Sequence, residues 1–283
     1  MWVSDKWKEY ELIDCSGGDR LERWGDRILI RPDPQVLWHT PKDAPGWQMA
    51  DAQYIRSNTG GGKWSQNDLP GKWPVAYGEL EFLVSPMNFK HMGLFPEQAV
   101  NWDYIIEKIR ASSNNVNILN LFAYTGGATL AAAYAGANVC HVDAARGMVA
   151  RAKENAAASG LGDKPVRWIV DDCGKFVERE IRRGHMYDAL IMDPPSYGRG
   201  PSGEVWKLED SIYDFVKLCS GVLAESPLFV LINSYTTGLS PSTLSYIITS
   251  VLGGTAESDE LGLPVTSSGM CLPCGAACRW SPR

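Results

Sequence analysis

The chain lacks any apolar run near the ~20 residues that a membrane-crossing helix needs, so a helical membrane protein is excluded. Its first residues, Met-Trp-Val-Ser-Asp-Lys, lack the charged-then-apolar order of a secretory signal. Positive charge is also scarce. There are 27 Lys and Arg against 33 Asp and Glu, for a net charge of -6, so the chain as a whole does not attract polyanions. Residues 1–100 carry 11 basic and 14 acidic groups and the remainder 16 and 19, so the balance is not split between the halves. Any nucleic-acid contact must therefore come from a local patch, because nonspecific affinity rests on phosphate neutralisation. No repeat of fixed period is present. Collagen, coiled coil and wholesale disorder do not fit 28 Gly, 17 Pro and 21% charged residues.

What remains is ordinary globular material. Across 283 residues, 45% are hydrophobic, enough for one large domain or two smaller ones. Seven Cys without a secretion signal read as reduced thiols, and a cytoplasmic location is expected. The unusual number is 11 Trp, of which Trp2, Trp7, Trp24, Trp38, Trp47, Trp64 and Trp73 fall in the first 73 residues. That imbalance points to two unlike parts.

Residues 1–95 show short β-type runs, Ile28-Leu29-Ile30, Val36-Leu37-Trp38 and Glu79 to Val84, between Gly, Pro, Asp and Asn clusters. A smaller β-rich, Trp-rich domain is expected there, suited to substrate recognition. Gly60-Gly61-Gly62, within the polar stretch from Ser57 to Gly71, reads as a plain loop, since no GK[ST] follows it.

Residues 96–283 differ in texture. A helix is expected from Pro96 through Arg110, with Val100, Tyr104, Ile105 and Ile109 on one face. Strands at 116–122, 137–142, 166–170, 187–192 and 228–232 then alternate with helices at 128–135, 145–159, 175–183, 207–223 and 241–252. Gly160 stands where a helix-ending Gly is expected. The alternation predicts an α/β fold with a Rossmann-like, doubly wound, mostly parallel sheet.

In such sheets ligands bind outside the carboxyl ends of the strands. There the sequence places Ala123-Tyr124-Thr125-Gly126-Gly127, then Asp143, then Asp171 and Asp172, then Asp193-Pro194-Pro195-Ser196-Tyr197, then Asn233-Ser234-Tyr235. Each has a plain structural reading: a glycine turn, or an Asp capping the helix that follows it, as Asp172 could. Their convergence at one sheet edge favours a ligand site. Glycines let a backbone approach a ligand at a helix N-terminus. An acid after the second strand can accept from ribose hydroxyls. Two prolines stiffen the Asp193 loop and remove its amide donors, which suits a planar, amine-bearing substrate.

At these residues the chain resembles the class I S-adenosylmethionine-dependent methyltransferases, within them the large-subunit ribosomal RNA methyltransferase group. The resemblance rests on Asn120-Leu-Phe-Ala-Tyr-Thr-Gly126, Val142-Asp143, Lys153-Glu-Asn155, Gly160-Leu161 and Asp193-Pro-Pro-Ser196. Gly93-Leu-Phe95-Pro-Glu-Gln98 is similar to the group's Gly-x-Phe-x-Asp-Gln, with Glu97 for Asp. It covers roughly residues 79–235. It implies S-adenosyl-L-methionine as cofactor, with Phe122, Ala123, Tyr124, Thr125 and Gly126 along its methionine part. It further implies Asp143 and Ala144 at the ribose, Asp172 at the adenine amine, and Phe95 and Gln98 closing the pocket. Asp193, Ser196 and Tyr197 would meet the acceptor, with Asp193 also beside the cofactor. The implied activity is rRNA methylation at a nucleobase, and the implied partner is ribosomal RNA. A homodimer is compatible with this reading.

Two departures matter. Members that methylate cytosine C5 use a thiolate, whereas Ser196 and the Asn233-Ser234-Tyr235 segment offer none. The small RNA-binding domain that many relatives carry at the N-terminus is not recognisable; the Trp-rich part stands in its place. Whether Asp193 acts as a base or only orients stays open, and so do a small-molecule or protein acceptor and a non-catalytic RNA-binding factor. A nucleotide-dependent oxidoreductase is disfavoured by the missing GxGxxG. No metal is expected: Cys271, Cys274 and Cys278 lack an evident fourth ligand. His141 reads as packed core, and Arg179, Arg182 and Arg183 as a solvated face.

Overall fold

The computed structural model describes residues 1–57, 61–65, 69–87, 89–199, 205–236 and 238–282. The chain divides into two compact units, Met1–Val100 with Gly262–Cys274, and Asn101–Leu261 with Gly275–Arg283.

The first unit is built from β1 (Trp2–Val3), β2 (Tyr10–Ser16), β3 (Asp19–Trp24), β4 (Arg27–Pro32), a single-turn α1 (Gly46–Met49), β5 (Ala52–Arg56), β6 (Gly62–Trp64), β7 (Trp73–Tyr77) and β8 (Leu80–Val84). Five strands form one sheet in the order β2-β3-β4-β5-β6, and β7 and β8 make a separate antiparallel pair. Its interior holds a buried ion pair. Glu22 accepts from Arg31 Nε at 2.6 Å and Nη2 at 2.8 Å, and from the Tyr10 hydroxyl at 2.7 Å. These partners hold its carboxyl at about 2 although burial pushes the other way.

Tryptophan serves this small interior as anchor. Trp24 and Trp73 are buried. The indole N–H groups of Trp7, Trp38, Trp64 and Trp73 donate to the carbonyls of Pro96, Cys15, Met87 and Trp24, and that of Trp47 to Asp14. A large apolar ring with a satisfied polar edge is what a thin β layer needs to hold together.

Two expectations in this unit change. Val36-Leu37-Trp38 is not a strand. Asp33 turns the chain by accepting the Gln35 amide at 2.8 Å, and Leu37 stands 80% exposed with no neighbouring strand. In the polar stretch, Gly60 lies outside the described residues, as do 58, 59 and 66–68, while Gly62 opens β6. A Cβ at Gly62 would lie 2.3 Å from the Ile55 carbonyl, so the strand pair requires glycine.

A 3-10 turn, Pro96–Gln98, leads into α2 (Ala99–Ala111). Proline at the first position explains the tighter opening turn. The second unit continues with β9 (Asn117–Leu121), α3 (Gly127–Tyr134), β10 (Asn138–Asp143), α4 (Arg146–Ala158), β11 (Val166–Val170), α5 (Cys173–Arg183), β12 (Ala189–Met192), a short hairpin of β13 (Tyr197–Arg199) and β14 (Val205–Lys207), α6 (Leu208–Ser220), β15 (Phe229–Ser234) and α7 (Pro241–Leu252). Then come β16 (Thr255–Pro264) and β17 (Cys271–Ser281). The sheet runs β16-β17-β15-β12-β9-β10-β11. From β15 to β11 all pairings are parallel, and β17 lies antiparallel to β15. The α/β, mostly parallel, doubly wound architecture expected from the alternation is what the chain adopts. No helix of the described residues is long and apolar enough to cross a membrane.

Both faces of the sheet are covered. Leu119, Leu121, Leu190 and Met192 pack with Phe176, Phe215, Val216 and Ile248 of α5, α6 and α7 in one buried cluster. Alternate residues point the other way, where Asn120 donates to the Thr129 hydroxyl of α3 at 2.9 Å. Strand order reverses between β9 and β12, because β10 and β11 extend to one side and β15 to the other. In open α/β sheets ligands bind at such a switch point.

Candidate active site

The first loop of the site follows β9. Phe122 and Tyr124 have φ of 55° and 49°, and Gly126 has φ of 92°. Two non-glycine residues in left-handed conformation within three positions make an uncommon, strained turn. It is over-determined by its partners. The Phe122 amide donates to Cys173 Sγ at 3.3 Å, the Tyr124 amide to Asp143 Oδ2 at 2.8 Å, and Asn155 Nδ2 to the Thr125 carbonyl at 2.9 Å. Gly126 caps α3, and a Cβ there would stand 3.0 Å from Ala152 Cβ and 3.2 Å from Leu130. At Gly127 a Cβ would lie 2.6 Å from the Trp102 ring. Both glycines are packing requirements at a helix N-terminus.

Asp143 ends β10. Its Oδ1 accepts the Ala145 amide at 2.8 Å while Oδ2 takes that of Tyr124. Burial raises its carboxyl above the usual range, and the two amides only partly offset this. Each carboxylate oxygen keeps a further acceptor site. Ala144 beside it is exposed. Asp172 is the N-cap of α5, accepting the Lys175 amide at 2.9 Å, the plain reading of that residue. It is exposed, so capping leaves its second oxygen accessible.

Asp193 follows β12, its amide donating to the Leu121 carbonyl at 3.3 Å. The loop after it is pinned twice. Ser196 Oγ accepts from the Thr236 hydroxyl at 2.8 Å, and the Pro195 carbonyl accepts from the Trp206 indole at 2.6 Å. Tyr197 is 52% exposed at the start of β13. Of the expected site residues, Phe122 to Gly126, Asp143, Ala144, Asp172, Asp193, Ser196 and Tyr197 all lie at strand carboxyl ends of the second unit. Phe95 and Gln98 lie in the first unit, flanking the Pro96 turn.

An S-adenosylmethionine-dependent methyltransferase family model matches residues 44–218. The chain belongs to this family. Among curated proteins it is similar to the ribosomal RNA large subunit methyltransferase K/L of Syntrophotalea carbinolica, 27% identical over 64% of this chain and 25% of that one. It is also similar to that of Shewanella baltica, 30% identical over 52% of this chain and 20% of that one. The chain thus spans a quarter or less of these relatives' length. Among solved structures, a SAM-dependent methyltransferase from Agrobacterium tumefaciens is 35% identical, with TM-score 0.94 over 99% of this chain and 93% of that one. A putative methyltransferase from Streptococcus mutans, 18% identical with TM-score 0.75 over 97% and 75%, shares the fold.

For a methyltransferase of this family, the donor set fits S-adenosylmethionine. The left-handed Gly126 opens α3, and a carboxylate with spare acceptor sites stands one strand away. The family does not mark every residue that shapes the site. Trp206 and Thr236 carry no sequence signal for the site, because the bonds that bring them to Pro195 and Ser196 span 11 and 40 residues. Asn155, part of the Lys153-Glu-Asn155 motif, acts as a clamp on the Thr125 carbonyl, a role set by a contact 30 residues away in the chain.

The remaining side chains are structural. His141 is fully buried, its Nδ1 2.9 Å from the Thr129 hydroxyl, and burial lowers its pKa to about 3. Arg179 pairs with Asp171, and Arg183 pairs with Glu180. Cys271, Cys274 and Cys278 lie along β17, and among the described residues no group of three His, Cys, Asp or Glu could hold a metal.

Proposed function

We propose that the protein transfers a methyl group from S-adenosylmethionine to a nucleobase of large-subunit ribosomal RNA, at an exocyclic amine. The observation that carries the reading is the constrained Asp193–Ser196 loop at the same sheet edge as the Asp143 carboxylate. The curated relatives named for large-subunit rRNA support the substrate class.

In this proposal Asp143, with Ala144, takes the ribose hydroxyls, and the turn from Phe122 to Gly126 lies along the methionine part. Asp172 accepts from the adenine amine with the oxygen not used for capping. The bound cofactor supplies an activated sulfonium methyl, so the protein's task is alignment of the nucleophile. Asp193 accepts a hydrogen bond from the acceptor amine and raises its nucleophilicity. Ser196 and Tyr197 frame the base, with the exposed Tyr197 ring suited to stacking. Substrate recognition is assigned to residues 1–95, where Trp38, 38% exposed, is the tryptophan most available to a base.

Incubating purified protein and labelled S-adenosylmethionine with ribosomal RNA from cells lacking this gene tests the reading. Label in a modified nucleoside is expected, and its absence from RNA overturns the substrate class. Label that appears only in protein or small-molecule fractions would favour those acceptors instead.

A further inference from the structure

Beyond Tyr197, the β13–β14 hairpin has no part in the chemistry above, yet it leaves directly from the acceptor loop. Gly198 pairs with Trp206, and Tyr197 with Lys207. The Leu208 amide donates to the Ser196 carbonyl at 3.1 Å. The hairpin therefore doubles back and brings Trp206 onto the loop that precedes it.

Trp206 makes two kinds of contact there. Its indole N–H donates to the Pro195 carbonyl at 2.6 Å. Its ring stands 5.7 Å from Phe122 and 5.5 Å from Phe215, which are themselves 5.4 Å apart, so three rings close a triangle. Phe122 is the strained residue that opens the loop after β9. One side chain thus joins the turn after β9 to the loop after β12.

Such a brace has a reason. Pro194 and Pro195 carry no amide hydrogen, so the loop cannot fix its own position through those two backbone donors. Their rings stiffen φ, and Pro195 also confines ψ of Pro194, but neither ring sets ψ at Pro195. Contacts from outside set ψ at Pro195, and the Trp206 indole is the donor that holds the Pro195 carbonyl itself. In-line transfer tolerates little misplacement, since about 1 Å can cost roughly a hundredfold in rate.

We propose that Trp206 is a positioning residue for methyl transfer, holding the Asp193–Ser196 loop in register with the turn at Phe122. The proposal rests on the reading of Asp193 as the residue that meets the acceptor. Trp206→Phe keeps a ring for the aromatic triangle and removes only the N–H donor, whereas Trp206→Ala removes both.

The test measures kcat and KM for labelled methyl transfer to the RNA defined above, with S-adenosylhomocysteine affinity by calorimetry. For Trp206→Phe, kcat is expected to fall about tenfold, the equivalent of one lost hydrogen bond. S-adenosylhomocysteine affinity should stay within about twofold for an interaction that acts on the acceptor side alone. A wild-type kcat, or a parallel loss of kcat and S-adenosylhomocysteine affinity, overturns the proposal.

A second measurement does not depend on turnover. Hydrogen exchange at the amides of residues 196–199 and 208 should be at least about tenfold faster in Trp206→Phe, because local opening reports loss of the brace. Unchanged exchange overturns the proposal even if the variant is impaired. If the wild-type protein transfers no label to RNA, the RNA-substrate reading fails on its own terms and the exchange result still decides whether Trp206 holds the loop.

Discussion

The Tyr124 amide donates to Asp143 Oδ2 across 2.8 Å, tying the turn after β9 to the end of β10. The bond fixes a left-handed Tyr124 and orients a partly desolvated carboxylate at the same time. The strain at Tyr124 is tolerated because a carboxylate acceptor rewards it, and the two amides partly offset the burial that raises the Asp143 carboxyl.

Asp143→Ala should weaken S-adenosylhomocysteine binding at least about tenfold, since a hydrogen bond to a charged group is worth about 1.5–3 kcal/mol. Calorimetry on the purified variant checks this. Binding at wild-type affinity would remove Asp143 from the cofactor site.

Cofactor affinity should also depend on pH through the same residue. Asp143 titrates above the usual carboxylate range because of burial, and only the ionised form accepts from two hydroxyls. Affinity is therefore expected to be full at neutral pH and to decline as the solution is acidified toward that raised pKa. The decline should be absent in Asp143→Asn, which cannot titrate.

Asp193→Asn should lower kcat by about a hundredfold or more if the carboxylate takes up the amine proton, the lower end of general-base effects. A fall of tenfold or less would mean that the residue orients the amine without accepting its proton. Single-turnover transfer to RNA distinguishes the two.

Gly126→Ala should destabilise the protein by about 1–3 kcal/mol, because a side chain is forced into a left-handed conformation. Its Cβ would also press on Ala152 at 3.0 Å. Thermal unfolding with and without S-adenosylhomocysteine checks the prediction. A smaller ligand-induced rise in Tm is expected than for the wild type.

Glu22→Gln should cost about 3–5 kcal/mol, since it leaves the buried Arg31 guanidinium without its counter-charge. The native Glu22 carboxyl is held at about 2, below its ordinary 4.5. Its contribution is thus complete above about pH 4.5 and is lost as pH falls toward 2. Denaturant unfolding across that range should show a steeper acid loss in the wild type than in the variant.

Much of the second unit was legible because its signals are local. Alternating apolar runs and Gly-ended helices placed β9 to α5 within a residue or two, and the acids after each strand followed from the sheet rule. The first unit was less legible. Its strands carry mixed patterns such as the Asp-Arg-Leu-Glu-Arg-Trp of β3, where Glu22 is buried by pairing with Arg31 rather than by apolarity. Periodicity cannot register a buried charge whose partner lies on another strand. Val36 to Trp38 failed the other way, as an apolar run that no strand pairs.

By itself the sequence determined the parallel α/β core and the order of acids and glycines along its edge, because both arise from short-range pattern and chain direction. Tertiary structure alone decided how those residues are held: Tyr124 on Asp143, Asn155 on the Thr125 carbonyl, Thr236 on Ser196 and Trp206 on the Pro195 carbonyl. These partners are 11 to 40 residues apart in the chain. Only folding brings them within hydrogen-bond distance, and no local propensity encodes it.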